Sequence, residues 1–549
     1  MNRRRFLAGA GLAAAGSGLA ARAATGAAAD AATTGPDTGG GDPIQRALAE
    51  RKGSLKGLPE PLALPRRTTA GLEPYTPRAE KPWNRQRAQY LIRRTMFGAR
   101  KQDVDMALGK TPGEVVDMLL ADSALPAAPG SWVTQNYVYD RLADNSDAEN
   151  RQWLNDLRYW WTGLLVNQEF SIREKMVYFW HDHWSTETQD VIQPHFNYWF
   201  LDLFRKNFLG NFKQMVNAVT VSPAMLVYLD GRYNTKSRPN ENYARELMEL
   251  HTLGEGNGYT EDDVKAAARG LTGWTLKDLG ALPNGRRQYS PNEAAYIASN
   301  HDATDKTFMG RTGNWRETDV IDIIFTERKN EVAHFICRKL YRQFVYEIAD
   351  ETIVDQLSAM LITNNWDLRP VVTTLLKSEH FFETANMGAH ITSPLEQYIG
   401  AIRTLGISTT ALSDIYNTCG TLGLQLLQPP NVKGWPEYRT WITASRLSSR
   451  WNATDLLIDE SKKTNSKFPL DPIAFITAIS TPTDPRKINK DVIELFFVLT
   501  LNDYQTEVLF EKFMSGWKDY EWDPTNPGAP DRVRNLIKAA LRNNEAQLI

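Results

Sequence analysis

NFKQMVNAVTVSPAMLVYL, residues 211–229, decides the fold class. Phe212, Met215, Val216 and Val219 recur at i, i+3, i+4 and i+7, which is the period of one helix face. Ser222-Pro223 interrupts the pattern, and a second apolar turn runs to Leu229. WDLRPVVTTLLKSEHFF (366–382) and DRVRNLIKAALRNNEAQLI (531–549) follow the same plan, with polar breaks at Ser378 and Asn543. Three such stretches at irregular spacing predict reused helical hairpins, not a solenoid of fixed period.

The same period recurs on both sides of these stretches, for example over 87–97, 150–168, 172–186, 195–209, 240–253, 260–272, 329–346, 350–363, 394–405 and 440–457. Strand signals are sparse. The expectation is an all-α fold, a large multi-helix domain of packed hairpins over 83–549 with little or no sheet. A chain of 549 residues with 42% hydrophobic content buries a sizeable core.

The N-terminus reads differently. MNRRRFLAGAGLAAAGSGLAARAA places Arg3, Arg4 and Arg5 before Phe6 and Leu7, and a weakly apolar stretch closes on Ala21-Arg22-Ala23. This is the arrangement of a twin-arginine signal peptide over 1–23 with an A-x-A cleavage site. It predicts periplasmic or secreted localisation and a mature protein with no membrane span. Residues 24–82, rich in Ala, Gly, Thr and Pro, are expected to form a flexible mature N-terminus.

A net charge of −2 gives no basic footprint for a nucleic-acid backbone, so nucleic acid is excluded as a partner class. Cys337 and Cys419 are the only cysteines, too few for a disulfide framework, and Cys337 lies in an apolar helical run.

Polar residues are densest around YLDGRYNTKSRPNENYARELMELHTLGEGNGYT, residues 228–260. Asn240 starts a helix that Gly254 stops. Asn242, Glu246 and Glu249 fall on one face, and Glu246 and Glu249 sit one turn apart, about 5–6 Å between Cβ atoms. They fit an acid–base pair, with Asp230 and Glu241 as further carboxylates. The competing reading is a solvated ladder of Glu241, Arg245 and Glu249 at i, i+4 and i+8. His251 falls on the apolar side, as a core histidine would.

In FWHDHW, His181 and His183 lie two apart on a helix and point about 200° from each other, so they cannot chelate one ion while the helix continues. His183 faces inward, and His195 could approach it across the following turn as a metal ligand; a buried, hydrogen-bonded His183 is the alternative. NHDATDKTFMG (300–310) puts His301 in a loop, and LLQPPNVKGWPEYRTWIT (426–443) combines a rigid Pro429-Pro430 turn with Lys433 and Trp435. Asn240, Asn242, Trp274, His301, Lys433 and Trp435 are the candidate substrate-binding residues. No G-x-G-x-x-G, Walker, G-x-S-x-G or H-E-x-x-H motif is present.

These segments (FWHDHWSTE, NENYARELMELHTLGEGNGYT, TGW, HDATDKTFMG and QPPNVKGWP) resemble the hallmark stretches of the DUF1800 family, in order, from Trp83 to the C-terminus. The resemblance implies a mostly helical, extracytoplasmic protein and suggests a DUF1501 protein as partner. It supplies no catalytic roles.

The functional expectation is an exported hydrolase acting on extracellular or envelope polysaccharide. Paired carboxylates would do the chemistry: Glu246 as the acid, with Asp230 or Glu249 as its partner. Sixteen tryptophans supply indole faces for sugar stacking, although indoles in helical hairpins also serve as core. One alternative is a metal-dependent enzyme, redox chemistry included, in which His183, His195 or His301 joins these carboxylates around a divalent metal cofactor, with His183 and His195 the first candidates as ligands. The other is a non-enzymatic binding partner of a DUF1501 protein.

Overall fold

In the computed structural model, residues 70–139 and 148–549 are described. The signal peptide and most of the expected flexible segment fall outside them. The last part of that segment, residues 70–82, is laid along the helical domain instead. The Tyr75 N–H donates to Lys377 O at 2.8 Å and the Glu379 N–H to Glu73 O at 2.8 Å. The Tyr75 ring stacks on Phe382 at 4.4 Å, and Arg78 bonds the Glu379 carboxylate at 2.6 Å. Lys81 pairs with Glu379 and Glu383 as well, so backbone bonds, one aromatic anchor and a small ion-pair cluster hold a segment whose composition shows no periodicity.

The predicted hairpins form, and each polar break acts as a cap. The Phe212–Thr220 helix buries Phe212, Met215, Val216 and Val219. Ser222 accepts the Met225 N–H and starts the Pro223–Tyr228 helix. Ser378 Oγ accepts the Phe381 N–H at 3.0 Å, and Asn543 accepts the Glu545 N–H at 3.1 Å. In each case a short polar side chain satisfies a donor that the new turn would leave orphaned.

Helices dominate the described residues, and strands form two small antiparallel sheets. In the three-stranded sheet, Arg287–Tyr296 lies between Trp274–Ala281 and Tyr137–Tyr139, with Trp274 opposite Tyr296 and Tyr137 opposite Tyr289. Pro283-Asn284-Gly285 makes the turn of the long hairpin, with Gly285 at φ +81°. Lys306–Phe308 pairs with Arg311–Gly313. Among the described residues no helix is long and apolar enough to cross a membrane. Cys337 and Cys419 are both buried free thiols.

The Arg173–His183 helix runs through the core and is buried on nearly every face. Two of its charged residues, Glu174 and Lys175, therefore form buried ion pairs. Glu174 takes two hydrogen bonds from Arg205, at 2.6 and 2.9 Å, and a third from the Trp161 indole at 3.0 Å. Lys175 is fully buried against Glu396. Removing either partner would strand a charge without solvent. The C-terminal end of this helix brings the HDH triplet to a cleft.

Candidate active site

The triplet splits three ways, as residues adjacent on a helix must. His181 is packed between the rings of Trp161 and Trp435, at 5.5 and 5.6 Å. His183 lies on the opposite side, against Trp180, Phe335 and His251. Asp182 is left at the wall of a cleft of about 470 Å³, within the range of roughly 300–1,000 Å³ typical of small-molecule sites.

The QPPNVKGWP loop closes over Asp182. Asn431 bonds the Lys433 N–H at 2.9 Å, and the turn brings the Trp435 N–H to Asp182 Oδ1 at 2.8 Å. Gly434 makes this approach feasible. Its φ is +91°, and a Cβ there would lie 2.3 Å from Asp182 Oδ1. No described residue donates a hydrogen bond to the other Asp182 oxygen.

A second wall comes from the helix beginning at Glu241, which widens into a π-helix over Leu247–Thr252. The Leu253 N–H reaches back five residues to Met248 O at 2.9 Å, and the Thr252 hydroxyl bonds Leu247 O at 2.6 Å. π-turns of this kind concentrate at functional sites because they re-aim backbone groups. Here the His251 carbonyl accepts from His183 Nε2 at 3.2 Å. That bond places the imidazole proton on Nε2 and leaves Nδ1 as an acceptor. Lys339 Nζ, from the Lys329–Phe344 helix, donates to Nδ1 at 3.0 Å.

The electrostatics follow from this packing. Burial raises the Asp182 carboxyl to about 7; Glu437 adds to the rise, while Lys339 and the Trp435 N–H oppose it. Burial lowers the Lys339 ammonium below its ordinary range, and burial followed by Lys339 holds His183 well below 6.5, hence neutral. Glu437, at the mouth, is also raised, burial first. Half of its side-chain surface meets solvent, which screens the effect, so Asp182 is the better placed of the two carboxyls. A carboxyl titrating near neutrality beside a neutral imidazole and a desolvated amine can give and take protons.

The residues singled out in the sequence are only partly gathered here. Glu249 lines the cleft, as do His183, Trp435 and Lys433. Glu246 turns the other way, toward Tyr228 beside Glu187 and Asp190, so Glu246 and Glu249 do not share a cavity. Glu241 and Glu249 each lie 3.5 Å from Arg245, which also holds Glu261 through two bonds of 2.6 and 2.8 Å. The charge ladder therefore forms.

The other candidate positions pin the local backbone. Asp230 sits in the left-handed region, φ 56°, and its carbonyl accepts from Asn240 Nδ2 at 3.3 Å. Asn240 caps the Asn242 N–H at 3.1 Å, and the Asn242 side chain faces solvent. Trp274 opens the β-hairpin with its ring 5.5 Å from Tyr296. His301 is buried beneath that hairpin, with Nδ1 at 3.1 Å from the Thr272 hydroxyl and carbonyl oxygens. Trp435, expected to present an indole to a ligand, is 4% exposed and stacked on Tyr178, while Lys433 stands at the rim, 3.5 Å from Glu255.

His195 lies in an aromatic cage of Trp132, Tyr137 and Trp153, at 5.4 to 5.7 Å, and shares no ring neighbour with His183. With both nitrogens of His183 engaged, the expected His183–His195 metal pair does not form. Among the described residues no three His, Cys, Asp or Glu groups are placed to hold a metal ion.

Lys339, Arg342 and Glu437 were not found from sequence, and Asp182 stood there only as the middle of the HDH triplet, with no role. The only signal for the first two was the basic Arg338-Lys339 and Arg342 spacing in an otherwise ordinary amphipathic helix. A family model described as "Protein of unknown function (DUF1800)" matches residues 90–548. The chain belongs to the DUF1800 family. All walls of the cleft fall inside the matched region, so the site belongs to the DUF1800 domain and not to the preceding segment. No curated protein and no solved structure matches this DUF1800 chain.

Proposed function

We propose that the chain is an exported hydrolase acting on extracellular or envelope polysaccharide, and that its working carboxyls are Asp182 and Glu437 rather than the glutamates of the 241–249 helix. The carrying observation is the state of Asp182. One oxygen is fixed by the Trp435 N–H, the other has no donor among the described residues, and the carboxyl lines the cleft with a proton affinity raised to about 7. A carboxyl of this kind stays protonated until a leaving oxygen takes the proton. Glu437, at the wetter mouth, then activates water or attacks. Lys339, held by His183, keeps a positive charge beside the developing negative one.

The test is release of new reducing ends from a panel of extracellular and envelope polysaccharides by the purified protein. Wild type is expected to be active, with D182N reduced by a factor on the order of 10²–10⁴, the contribution typical of general acid–base catalysis. An inactive wild type, or a D182N variant as active as wild type, would overturn the assignment. Capture of a DUF1501 protein by both variants, with neither active, would favour the docking role instead. Export is tested separately by fusing residues 1–23 to a reporter that needs prior folding.

A further inference from the structure

Four cations line the cleft, and three of them have carboxylates as partners. Arg342 bonds Glu347 and Glu437, the latter at 3.1 Å. Arg338 bonds Glu351 at 3.1 Å, and Lys433 lies 3.5 Å from Glu255. Lys339 is the exception. Its Nζ donates to a neutral nitrogen, His183 Nδ1, and no carboxylate of the described residues comes within ion-pair distance. Its chain passes over the Phe335 ring, 5.6 Å from Nζ, so the ammonium is held by an imidazole and an aromatic face.

A half-buried ammonium has three donors and pays a desolvation penalty that an uncharged acceptor only partly offsets. The carboxylates around it do not fill the gap. Glu437 and Glu347 are turned to Arg342, Glu249 to Arg245, and Glu255 to Lys433. Asp182 is the remaining acid, and it is half-protonated near neutral pH. The π-turn reinforces the arrangement, because the His251 carbonyl fixes the tautomer that makes Nδ1 an acceptor and so aims Nζ along the cleft wall.

We infer that Lys339 is the anchor of an anionic subsite, and that the substrate carries an oxyanion, a sugar carboxylate or a sulfate or phosphate ester, which supplies the missing counter-charge. This rests on the hydrolase reading only for taking the cleft as the substrate site. The fixed positive charge would select acidic over neutral glycans.

Binding, read without turnover, tests it. Thermal unfolding and calorimetry are run on the full chain with glucuronate, glucose, inorganic sulfate and inorganic phosphate. Wild type is expected to bind glucuronate or one of the inorganic anions at least tenfold more tightly than glucose, and the strongest of the three identifies the oxyanion. K339Q, whose amide still donates to His183 Nδ1, is expected to lose that preference; K339R, which keeps the charge, is expected to retain part of it. D182N is expected to bind as well as wild type or better, which separates this site from the acid–base assignment. Glucose binding equal to all three anions, or unchanged anion binding by a folded K339Q, would overturn the inference.

Discussion

Asp182 and Trp435, 253 residues apart in sequence, are joined by one hydrogen bond of 2.8 Å from the Trp435 backbone N–H to Asp182 Oδ1. The bond ties the end of the central helix to the QPPNVKGWP loop and leaves a single carboxyl oxygen for chemistry. It also explains Gly434, whose missing side chain is what permits the contact.

G434A is therefore expected to damage the site out of proportion to its size. An alanine at φ +91° is strained by about 1–3 kcal/mol, and its Cβ would meet Asp182 Oδ1 at 2.3 Å. Either the loop or the carboxyl must move. The expected outcome is a lowered melting temperature and loss of most activity, with the far-UV circular dichroism spectrum unchanged. A variant with wild-type stability and rate would show that the loop does not position Asp182.

The pH dependence has a definite sign. Asp182 binds its proton more tightly in the folded chain, at about 7, than when unfolded, near 3.8. Its contribution to stability is thus fully present below about pH 4 and is lost as pH rises through 7. D182N removes this pH dependence, so the variant should gain stability relative to wild type between pH 4 and 8. The gain is on the order of 2 kcal/mol once solvent screening is allowed for. Urea unfolding at the two pH values measures it, and a constant difference between the proteins would contradict the raised carboxyl. Activity should fall on the alkaline side of an apparent pKa near 7, a value that belongs to the coupled acids of the cleft together.

Most of the fold was legible because helical periodicity is local: the apolar rows at 212–219, 368–375 and 533–540 name their own buried faces. The Trp274–Tyr296 hairpin was not, since much of its surface is solvated and its alternation is weak. The site was half legible. Motif density pointed to His183, Glu249 and Trp435, which do meet. The error lay in treating 240–253 as a uniform helix, because a π-turn has no residue signature and changes which groups face the cleft. Lys339 and Glu437 could not be joined to Asp182 without the tertiary structure.

The acidic helix gives a contrasting expectation. Glu241 and Glu249 sit 3.5 Å from an arginine that bonds Glu261 more closely, and Glu246 faces away from the cleft. E241Q and E246Q should each change the rate by less than about threefold, and E241Q should change the stability by less than about 0.5 kcal/mol, as for a partly solvated ion pair. R245Q should be destabilised by about 1 kcal/mol, and added salt should shrink that loss. A hundredfold loss in E246Q would move the acid role back to this helix.

The central helix offers the sharpest test of packing. Lys175 is fully buried and bonded to Glu396. Glu396 also accepts the Ser393 N–H at 2.7 Å as the third residue of a capping box. K175M strands a carboxylate in the core and is expected to cost about 3–5 kcal/mol in urea unfolding. E396Q on that background removes the stranded charge while its amide oxygen can still accept the Ser393 N–H, because glutamine also serves at this capping position. The double variant should therefore recover most of the loss. If K175M/E396Q is as unstable as K175M alone, the lysine stem and not the charge pair is what the core requires at this position.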